Sequence, residues 1–369
     1  MPAIRALLNK FFANWIEICY DTVEFQGKGA DFIAATMKDI AEAAGVSIGT
    51  VDRALKNRGR INSEVAERIR RIAKDLNYSP NRIASGLAKK SRAYRIAVIY
   101  SIQPSEFWTS VTEGIRRAEA EIRPFGFSIE MYYGSAFDPS VQIALIEQAL
   151  ADGADAMIIV PVNDAALAER LRQLCESGFP VLFLNSYLEN VTGLCAIRCD
   201  YYRSGRIAAA LLRRLSKDHA HALAFLPSPR MLGNNARMAG IRDSFARHPE
   251  MVLDDIVELA MDRDIDVPRI REAVRSHPLV GHIIYNGDLG VYRDALGPRL
   301  QELHTVSFDM VGDTRDALLS GELEAVVSQA QESQGTTAVE ALFRYLSEGI
   351  VPPPETIFEN RIVFRECVD

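Results

Sequence analysis

Residues 37–90 read MKDIAEAAGVSIGTVDRALKNRGRINSEVAERIRRIAKDLNYSPNRIASGLAKK. Lys38–Ala44 consists of helix formers, with Ile40, Ala41 and Ala44 on one side. Gly45 can take the positive φ that ends a helix, and Val46 follows as a packing residue. Ser47 is a good N-cap for a second helix, Ile48–Leu55. Two short helices joined by a tight glycine-containing turn form the helix-turn-helix pattern. Ala41, Val46 and Val51 are the expected core between them. Arg58-Gly59-Arg60 is a polar turn. Asn62 and Ser63 then cap a third helix, with Glu64 in the first turn where the helix dipole favours an anion. Its apolar side, Val65, Ile69, Ile72, Ala73 and Leu76, repeats at the helical period, and Asn77 and Pro80 end it.

Charge points the same way. Residues 37–92 hold 13 Lys and Arg against 6 Asp and Glu, a net of +7, whereas the whole chain is −7, so the remainder carries −14. A basic module on an acidic protein implies a polyanion partner at that module. The alternative is a three-helix bundle with no nucleic-acid role.

The pieces KDIAEAAGVS, TVDRAL and LNYSPNRIASGLAKK resemble the headpiece of the LacI/GalR family of bacterial repressors almost end to end. A lone helix-turn-helix pattern is weak; the added NYSPN and ASGLA pieces make the resemblance specific. It implies a headpiece over residues 37–80 and a hinge over 81–93. It also implies that Ser47, Ile48, Gly49, Asp52 and Arg53 open a recognition helix in the major groove. Arg53 is the main expected base reader, since a bidentate arginine–guanine pair is the commonest specific contact. Thr50 and Asn62 suit phosphate. Asn81, Arg82, Ala84 and Leu87 belong to the implied hinge helix, Arg82–Ala88, with Leu87 as a minor-groove wedge. The segment departs from the family pattern at Gly49, which offers no side chain to a base. It departs again at Asp52, which phosphate repels but which can accept from a cytosine amino group. The operator sequence therefore stays open.

The chain has 369 residues, enough for two or three domains. It contains no low-complexity run, no apolar segment long enough to span a bilayer and no obvious repeat. The five cysteines, Cys19, Cys175, Cys195, Cys199 and Cys367, show no framework spacing, which fits a reducing cytoplasm. Cys195 and Cys199 have no second Cys or His pair nearby, so no metal or other cofactor is expected. His219 and His221 read as surface residues. In residues 1–36, Ile4, Leu7, Leu8, Phe11, Phe12, Trp15 and Ile16 form an amphipathic stripe. Asn9 and Lys10 interrupt it, and no small-residue cleavage site follows, which argues against a signal peptide. The expectation is a natural start at Met37, with 1–36 a misread upstream stretch or a dispensable arm.

After residue 93 apolar runs alternate with amphipathic ones. The first set is strand Tyr94–Tyr100, helix Val111–Ile122, strand Phe127–Tyr133, helix Val141–Ala151, strand Ala156–Val160, helix Ala165–Glu176 and strand Pro180–Leu184. The second opens with helix Tyr202–Leu215, strand Ala222–Leu226, helix Ala236–His248, strand Val252–Leu259 and helix Pro268–Ser276. It continues with strand Val280–Tyr285, helix Gly290–Leu296, strand His304–Phe308, helix Asp313–Ser320, strand Ala325–Ser328 and helix Gly335–Glu348. This is an α/β pattern of two doubly wound parallel-sheet lobes behind a small all-α headpiece.

Ligands bind such sheets at the carboxyl ends of the strands. The residues there are Phe107 and Trp108; Asn185 and Ser186; Asn286 and Asp288; Asp309; and Gln329. Asn234, Asn235 and Arg237 fall in the loop leading into helix Ala236–His248. Aromatics covering an apolar ring face, with Asp, Asn, Arg and Gln on hydroxyls, would hold a sugar-sized polyol. The plainer readings are packing for Phe107 and Trp108, an ion pair with Asp243 or a helix dipole for Arg237, and a turn for Asn286.

Residues 94–369 also resemble the periplasmic sugar-binding fold that this family uses for effectors. The carrying pieces are FWTSVTEGIRRAEA, NARMAGIRDSF, VSFDMVGD, VVSQAQESQG and the closing RIVFREC. The ribose-binding type fits best, although YNGDLG departs from the commoner asparagine–aspartate turn. By this mapping Phe107, Trp108, Asn185, Arg237, Asn286, Asp309 and Gln329 bind effector. The resemblance implies a homodimeric cytoplasmic repressor on a pseudo-palindromic double-stranded DNA operator, with no membrane role. Its effector is a sugar or sugar derivative that closes the cleft and unfolds the hinge. The chain ends without a heptad tail, so no coiled-coil tetramer is expected. The rival readings are a corepressed regulator and, from another class, a transporter's solute-binding protein. An enzyme is disfavoured, since no Ser-His-Asp order, phosphate loop or HExxH is present.

Overall fold

The computed structural model describes residues 37–55, 62–75, 93–135, 137–215, 220–228 and 230–368. The N-terminal stripe, His219 and the expected hinge residues Asn81, Arg82, Ala84 and Leu87 lie outside the described residues. The chain divides into two compact units between Ala88 and Lys89, inside the expected linker.

The first unit holds α1 (Met37–Ala44), α2 (Ile48–Leu55) and α3 (Ser63–Asp75). Gly45 sits at φ +64 and ends α1, where the Val46 amide donates to the Ala41 carbonyl. Ile40, Ala41, Ala44, Val51, Ala54, Ala66, Ile69 and Ala73 are buried together, with Val46, Val65 and Ile72 packed against them. Small side chains dominate this core, so three short helices approach closely around two isoleucines. The Arg68 guanidinium donates to the Ala44 carbonyl at 2.8 Å, tying α3 to the end of α1.

The second unit contains two six-stranded sheets. The first includes β1 (Tyr94–Tyr100), β2 (Phe127–Tyr133), β3 (Ala156–Ile159), β4 (Val181–Leu184) and β5 (Cys195–Cys199). The second includes β6 (Ala220–Pro227), β7 (Met251–Leu259), β8 (Val280–Asn286), β9 (His304–Phe308) and β10 (Ala325–Ser328). The chain then returns to each sheet once, through β11 (Glu355–Phe358) and β12 (Arg361–Val363). The orders are β11-β5-β4-β3-β1-β2 and β12-β10-β9-β8-β6-β7, with β12 the only antiparallel member among the described strands. β3 and β4 are buried along their whole length, which is why they read as unbroken apolar runs.

The covering helices are α4 (Glu106–Ile122), α5 (Pro139–Ala151), α6 (Ala165–Glu176), α7 (Tyr201–Leu215), α8 (Leu232–Ala246), α9 (Arg263–Ser276), α10 (Leu289–Leu296), α11 (Thr314–Ser320) and α12 (Gln331–Glu348). Two of them change lobe. α7 leaves β5 of the first sheet and packs on α8 in the second lobe; α12 leaves β10 of the second sheet and packs on α4 in the first. Both pairs cross at glycines. A Cβ on Gly205 or Gly240 would overlap the carbonyl of Arg237 or Tyr202, and one on Gly114 or Gly335 would overlap that of Glu332 or Val111. The same device therefore fixes the helix that opens each side of the cleft.

The expected alternation holds, with four corrections. α4 begins at Glu106 rather than Val111, and α12 at Gln331 rather than Gly335, so that Phe107 and Trp108 are helical. Strands Cys195–Cys199 and Glu355–Phe358 were absent from it, because mixed polar residues interrupt their apolar positions. α9 begins at Arg263 rather than at Pro268, which lies inside it. Aspartates hold that first turn: Asp262 accepts from the amides of Asp264 and Ile265, and buried Asp266 accepts from Ala260, Met261 and Asp262. α8 begins at Leu232, so Asn234, Asn235 and Arg237 are helical and not in a preceding loop. Low helix propensity over GNNAR is overridden by packing, with Gly233 lying against the Tyr201 ring and the Asn234 amide donating to the Ser228 carbonyl at 3.1 Å.

Candidate functional site

All seven residues expected to face a ligand line one cleft: Phe107, Trp108, Asn185, Arg237, Asn286, Asp309 and Gln329. The cleft opens to solvent, and about 580 Å³ of empty space lies within its lining when the open mouth is included. Ile102, Ser105, Phe137, Tyr201, Pro227, Met231, Gly233, Asn234 and Met261 complete the lining. Sequence reasoning missed most of these because they come from helix starts and loops remote in the chain. Tyr201 could have been found, since it lies two residues past β5, a strand absent from the expected alternation. Asp288 does not line the cleft; it caps α10, accepting from the Gly290 amide at 2.7 Å. Ser186 is buried beside Asn185 but does not line it either.

The backbone is bent for this site. Five described residues other than glycine have left-handed φ: Phe137, Asn185, Met261, Asp309 and Ala330. The first four line the cleft, and Ala330 follows Gln329. Each costs about 1–3 kcal/mol and persists only where the surroundings over-determine it. Here neighbouring strands do so, since the Asn185 amide donates to Ile197 and the Asp309 amide to Val327.

Gln329 is the hub. Its side-chain oxygen accepts from Asn185 Nδ2 at 3.2 Å, Tyr201 Oη at 3.0 Å and Cys199 Sγ at 3.4 Å. Its Nε2 donates to Asp309 Oδ1 at 2.7 Å. Gln334, in the first turn of α12, donates to the Gln329 backbone carbonyl at 2.7 Å. The network joins β4 and β5 of one lobe to β9 and β10 of the other. The Cys199 thiol is a buried donor in it, and burial pushes its pKa up to about 12, so it is an inert thiol.

Asp309 is buried, and burial raises its carboxyl above the ordinary range; Arg237, Gln329 and Asn286 pull it back down. Both of its oxygens have amide donors, the second being Asn286 Nδ2 at 3.4 Å. Arg237 is only 2% exposed. Its guanidinium lies 4.0 Å from the Phe308 ring centroid and 5.3 Å from that of Tyr201. Its Nε and one Nη are buried without a hydrogen-bond partner. Asp243 is not its partner: that carboxylate accepts from Tyr202 and Arg247. A buried cation with unspent donors is costly unless a ligand supplies acceptors. On the opposite wall Phe107, Trp108 and Tyr100 form an edge-to-face series with centroid spacings of 4.8 and 5.3 Å. The cleft thus offers an aromatic wall, a poised guanidinium, a carboxylate and four amides.

In the first unit, Ser47 accepts from the Thr50 amide at 3.2 Å and its hydroxyl meets that of Thr50 at 2.9 Å. Gly49 and Arg53 are exposed on α2, and Arg53 Nε donates back to the Gly49 carbonyl at 3.0 Å, leaving the rest of the guanidinium outward. Asn62 caps α3, accepting from the Glu64 amide at 2.9 Å. The side chains of Ile48 and Asp52 lie outside what is described. His221 is not a plain surface residue; its Nδ1 lies 2.8 Å from Asp254.

The sequence pattern of the periplasmic binding protein domain matches residues 96–349, and that of the bacterial regulatory proteins of the lacI family matches residues 36–81. A probable HTH-type transcriptional regulator, EndR of Paenibacillus polymyxa, is 23% identical over 229 residues, covering 61% of this chain and 65% of that protein. The chain thus spans less than two thirds of that relative's length. Catabolite control protein A of Staphylococcus xylosus is 22% identical over 348 residues, covering 90% of this chain and 99% of that protein. A solute-binding protein of an ABC transporter from Burkholderia graminis, solved in complex with D-arabinose, superimposes with a TM-score of 0.69 at 18% identity. That match covers 75% of this chain and 97% of that one, and it shows the fold. No described helix is long and apolar enough to cross a membrane. The chain belongs to the periplasmic binding protein domain family, and carries at its amino end the headpiece of the lacI family of bacterial regulatory proteins.

Proposed function

We propose that this protein is a sugar-responsive DNA-binding repressor that works in the cytoplasm as a homodimer on a pseudo-palindromic operator. Arg53 reads a base from the recognition helix α2, and Ser47, Ile48, Gly49 and Asp52 lie with it at the groove. Thr50 and Asn62 hold phosphates. Asn81, Arg82, Ala84 and Leu87 form the hinge contact to the minor groove. The effector is a monosaccharide or close derivative, and the protein has no enzymatic role.

One observation carries the ligand half of this reading: the buried Arg237 guanidinium, with Nε and one Nη lacking acceptors, acts on the Asp309 carboxylate from the same wall of a cleft whose other wall is Phe107 and Trp108. A guanidinium beside a carboxylate fits vicinal hydroxyls, which accept from one and donate to the other. The aromatic wall fits the C–H face of the ring. Because Gln329 joins both lobes, a ligand that contacts it biases their arrangement. Operator and sugar then oppose each other through one two-state element, with a reciprocal coupling of about 1–3 kcal/mol.

The test selects an operator from random duplex DNA with the full chain. Operator affinity is then measured with and without D-arabinose, D-ribose, D-glucose and D-galactose. Release by roughly 5–150-fold with one of them is the expected result. Tighter operator binding with sugar would make the molecule a corepressed regulator. Selection of no DNA, or no effect of any sugar on operator affinity or Trp108 fluorescence, refutes the proposal.

A further inference from the structure

The cleft divides its chemistry between the lobes. Asn234, Arg237, Asn286, Asp309 and Gln329 all belong to the second lobe. The first lobe contributes Ile102, Ser105, Phe107, Trp108, Phe137 and Asn185. Asn185 is drawn toward the hub, donating to Gln329 at 3.2 Å and to Gln334 at 3.3 Å. Ser105 is then the one other polar side chain on that side among the described residues.

Three apolar side chains meet at one place in this wall. The Phe137 amide donates to the Ser101 carbonyl at 3.3 Å, the Ser101 hydroxyl donates to Met231 Sδ at 3.8 Å, and Ile102 is the next residue along the chain. Met231 comes from the second lobe, yet it is buried in the apolar cluster of the first together with Phe137 and Trp108, and Ile102 packs against them. All three line the cleft. Phe137 holds φ +57, which is uncommon for a bulky residue and marks a side chain whose placement the surroundings enforce. The patch is separate from the Gln329 hub and is additional to the Phe107 and Trp108 rings.

A sugar hydroxyl pressed onto such a patch gives up water and gains no partner. A methyl group gives up nothing polar and buries apolar surface. We propose that the effector is a 6-deoxyhexose, a sugar with a methyl group in place of the hydroxymethyl, whose ring hydroxyls meet the second lobe and whose methyl enters the patch of Ile102, Phe137 and Met231. This rests on the sugar-responsive reading above and names the class of sugar. It makes Ile102, Phe137 and Met231 specificity-determining residues.

The test titrates the full chain calorimetrically with sugars in matched sets that share a ring configuration. The sets are D-fucose, D-galactose and L-arabinose; D-quinovose, D-glucose and D-xylose; and L-rhamnose, L-mannose and L-lyxose. Within each set the ring carries a methyl, a hydroxymethyl or a hydrogen at the same position. In the set that binds best, the methyl sugar is expected to bind about 10–100-fold more tightly than either companion. Ile102→Asn offers an amide to the extra hydroxyl, and is expected to cut that preference about ten-fold by strengthening hydroxymethyl-sugar binding, a gain that a misfolded variant could not show. The inference is overturned, with the sugar-responsive reading intact, if the hydroxymethyl sugar or the pentose binds as tightly as its methyl companion, or if the variant binds with the wild-type preference. If no set binds, the sugar-responsive reading falls and this inference falls with it.

Discussion

Arg237→Met separates what a residue costs the empty protein from what it gives the liganded one. Methionine keeps an unbranched apolar stem against the Phe308 and Tyr201 rings and removes the charge. The loss is two cation–π contacts, about 0.5–2 kcal/mol each, together with the cation that offsets the buried Asp309 carboxylate. The gain is relief of two buried unpartnered donors, Nε and one Nη, each costing about 1–3 kcal/mol. Relief of two donors, about 2–6 kcal/mol, is roughly matched by loss of two ring contacts, about 1–4 kcal/mol. The ligand-free variant is therefore expected within about 2 kcal/mol of wild type, with buried Asp309 taking up a proton in place of the lost cation. Sugar binding moves the other way. Two charge-assisted hydrogen bonds at about 1.5–3 kcal/mol each are lost, which weakens binding roughly 10²–10⁴-fold. The assay is urea unfolding of the ligand-free chain, alongside sugar titration followed by Trp108 fluorescence. Trp15→Phe removes the other tryptophan of the chain. A ligand-free variant destabilised by more than about 2 kcal/mol would mean that the donors are satisfied in the folded chain. A sugar response equal to wild type would refute the role in binding.

Three further outcomes are expected. Gly205→Ala forces α7 and α8 apart at the Arg237 carbonyl and should destabilise by about 1–3 kcal/mol, whereas Gly281→Ala, where a Cβ meets nothing within 4 Å, should be neutral in the same denaturant titration. Asn62→Ala removes the cap of α3 and should cost the headpiece about 1 kcal/mol, read as a lower melting temperature of that unit; an unchanged melt would contradict the cap. Burial raises the Asp309 carboxyl above its unfolded value, so the folded state binds its proton more tightly. Wild type is then relatively most stable below the unfolded carboxylate range and loses that contribution as pH rises through the raised folded value. Asp309→Asn should therefore stabilise the ligand-free chain at neutral pH by a margin that shrinks as pH falls toward about 4, and a margin that is constant with pH would remove the burial argument.

The seven cleft residues were legible because a doubly wound sheet puts its site past the strand ends, and strand ends are visible as breaks in apolar runs. Asn185, Asn286, Asp309 and Gln329 were found that way. Tyr201 was missed with β5, where Arg198 and the flanking cysteines hide the alternation. Met261 was missed because what places it in the cleft is the Asp266 carboxylate gathering three amides of its loop, a contact that no local pattern announces. Asp288 was drawn in wrongly, since a polar residue after a strand caps the next helix as readily as it meets a ligand.

By itself, the sequence determined the three-helix headpiece and the two α/β lobes, because hydrophobic period, glycine turns and capping residues act over neighbouring positions. Its charge separation, +7 over residues 37–92 against −14 elsewhere, also needs no fold to be read. Only the tertiary structure decided that Arg237 is helical and stacked between two rings rather than paired with Asp243. It alone decided that Gln329 gathers Asn185, Tyr201 and Cys199 around one oxygen. The Gln329 contacts join residues more than a hundred positions apart, both sets of contacts depend on where α7 and α12 cross between the lobes, and the glycines that permit those crossings act on partners that local sequence does not name.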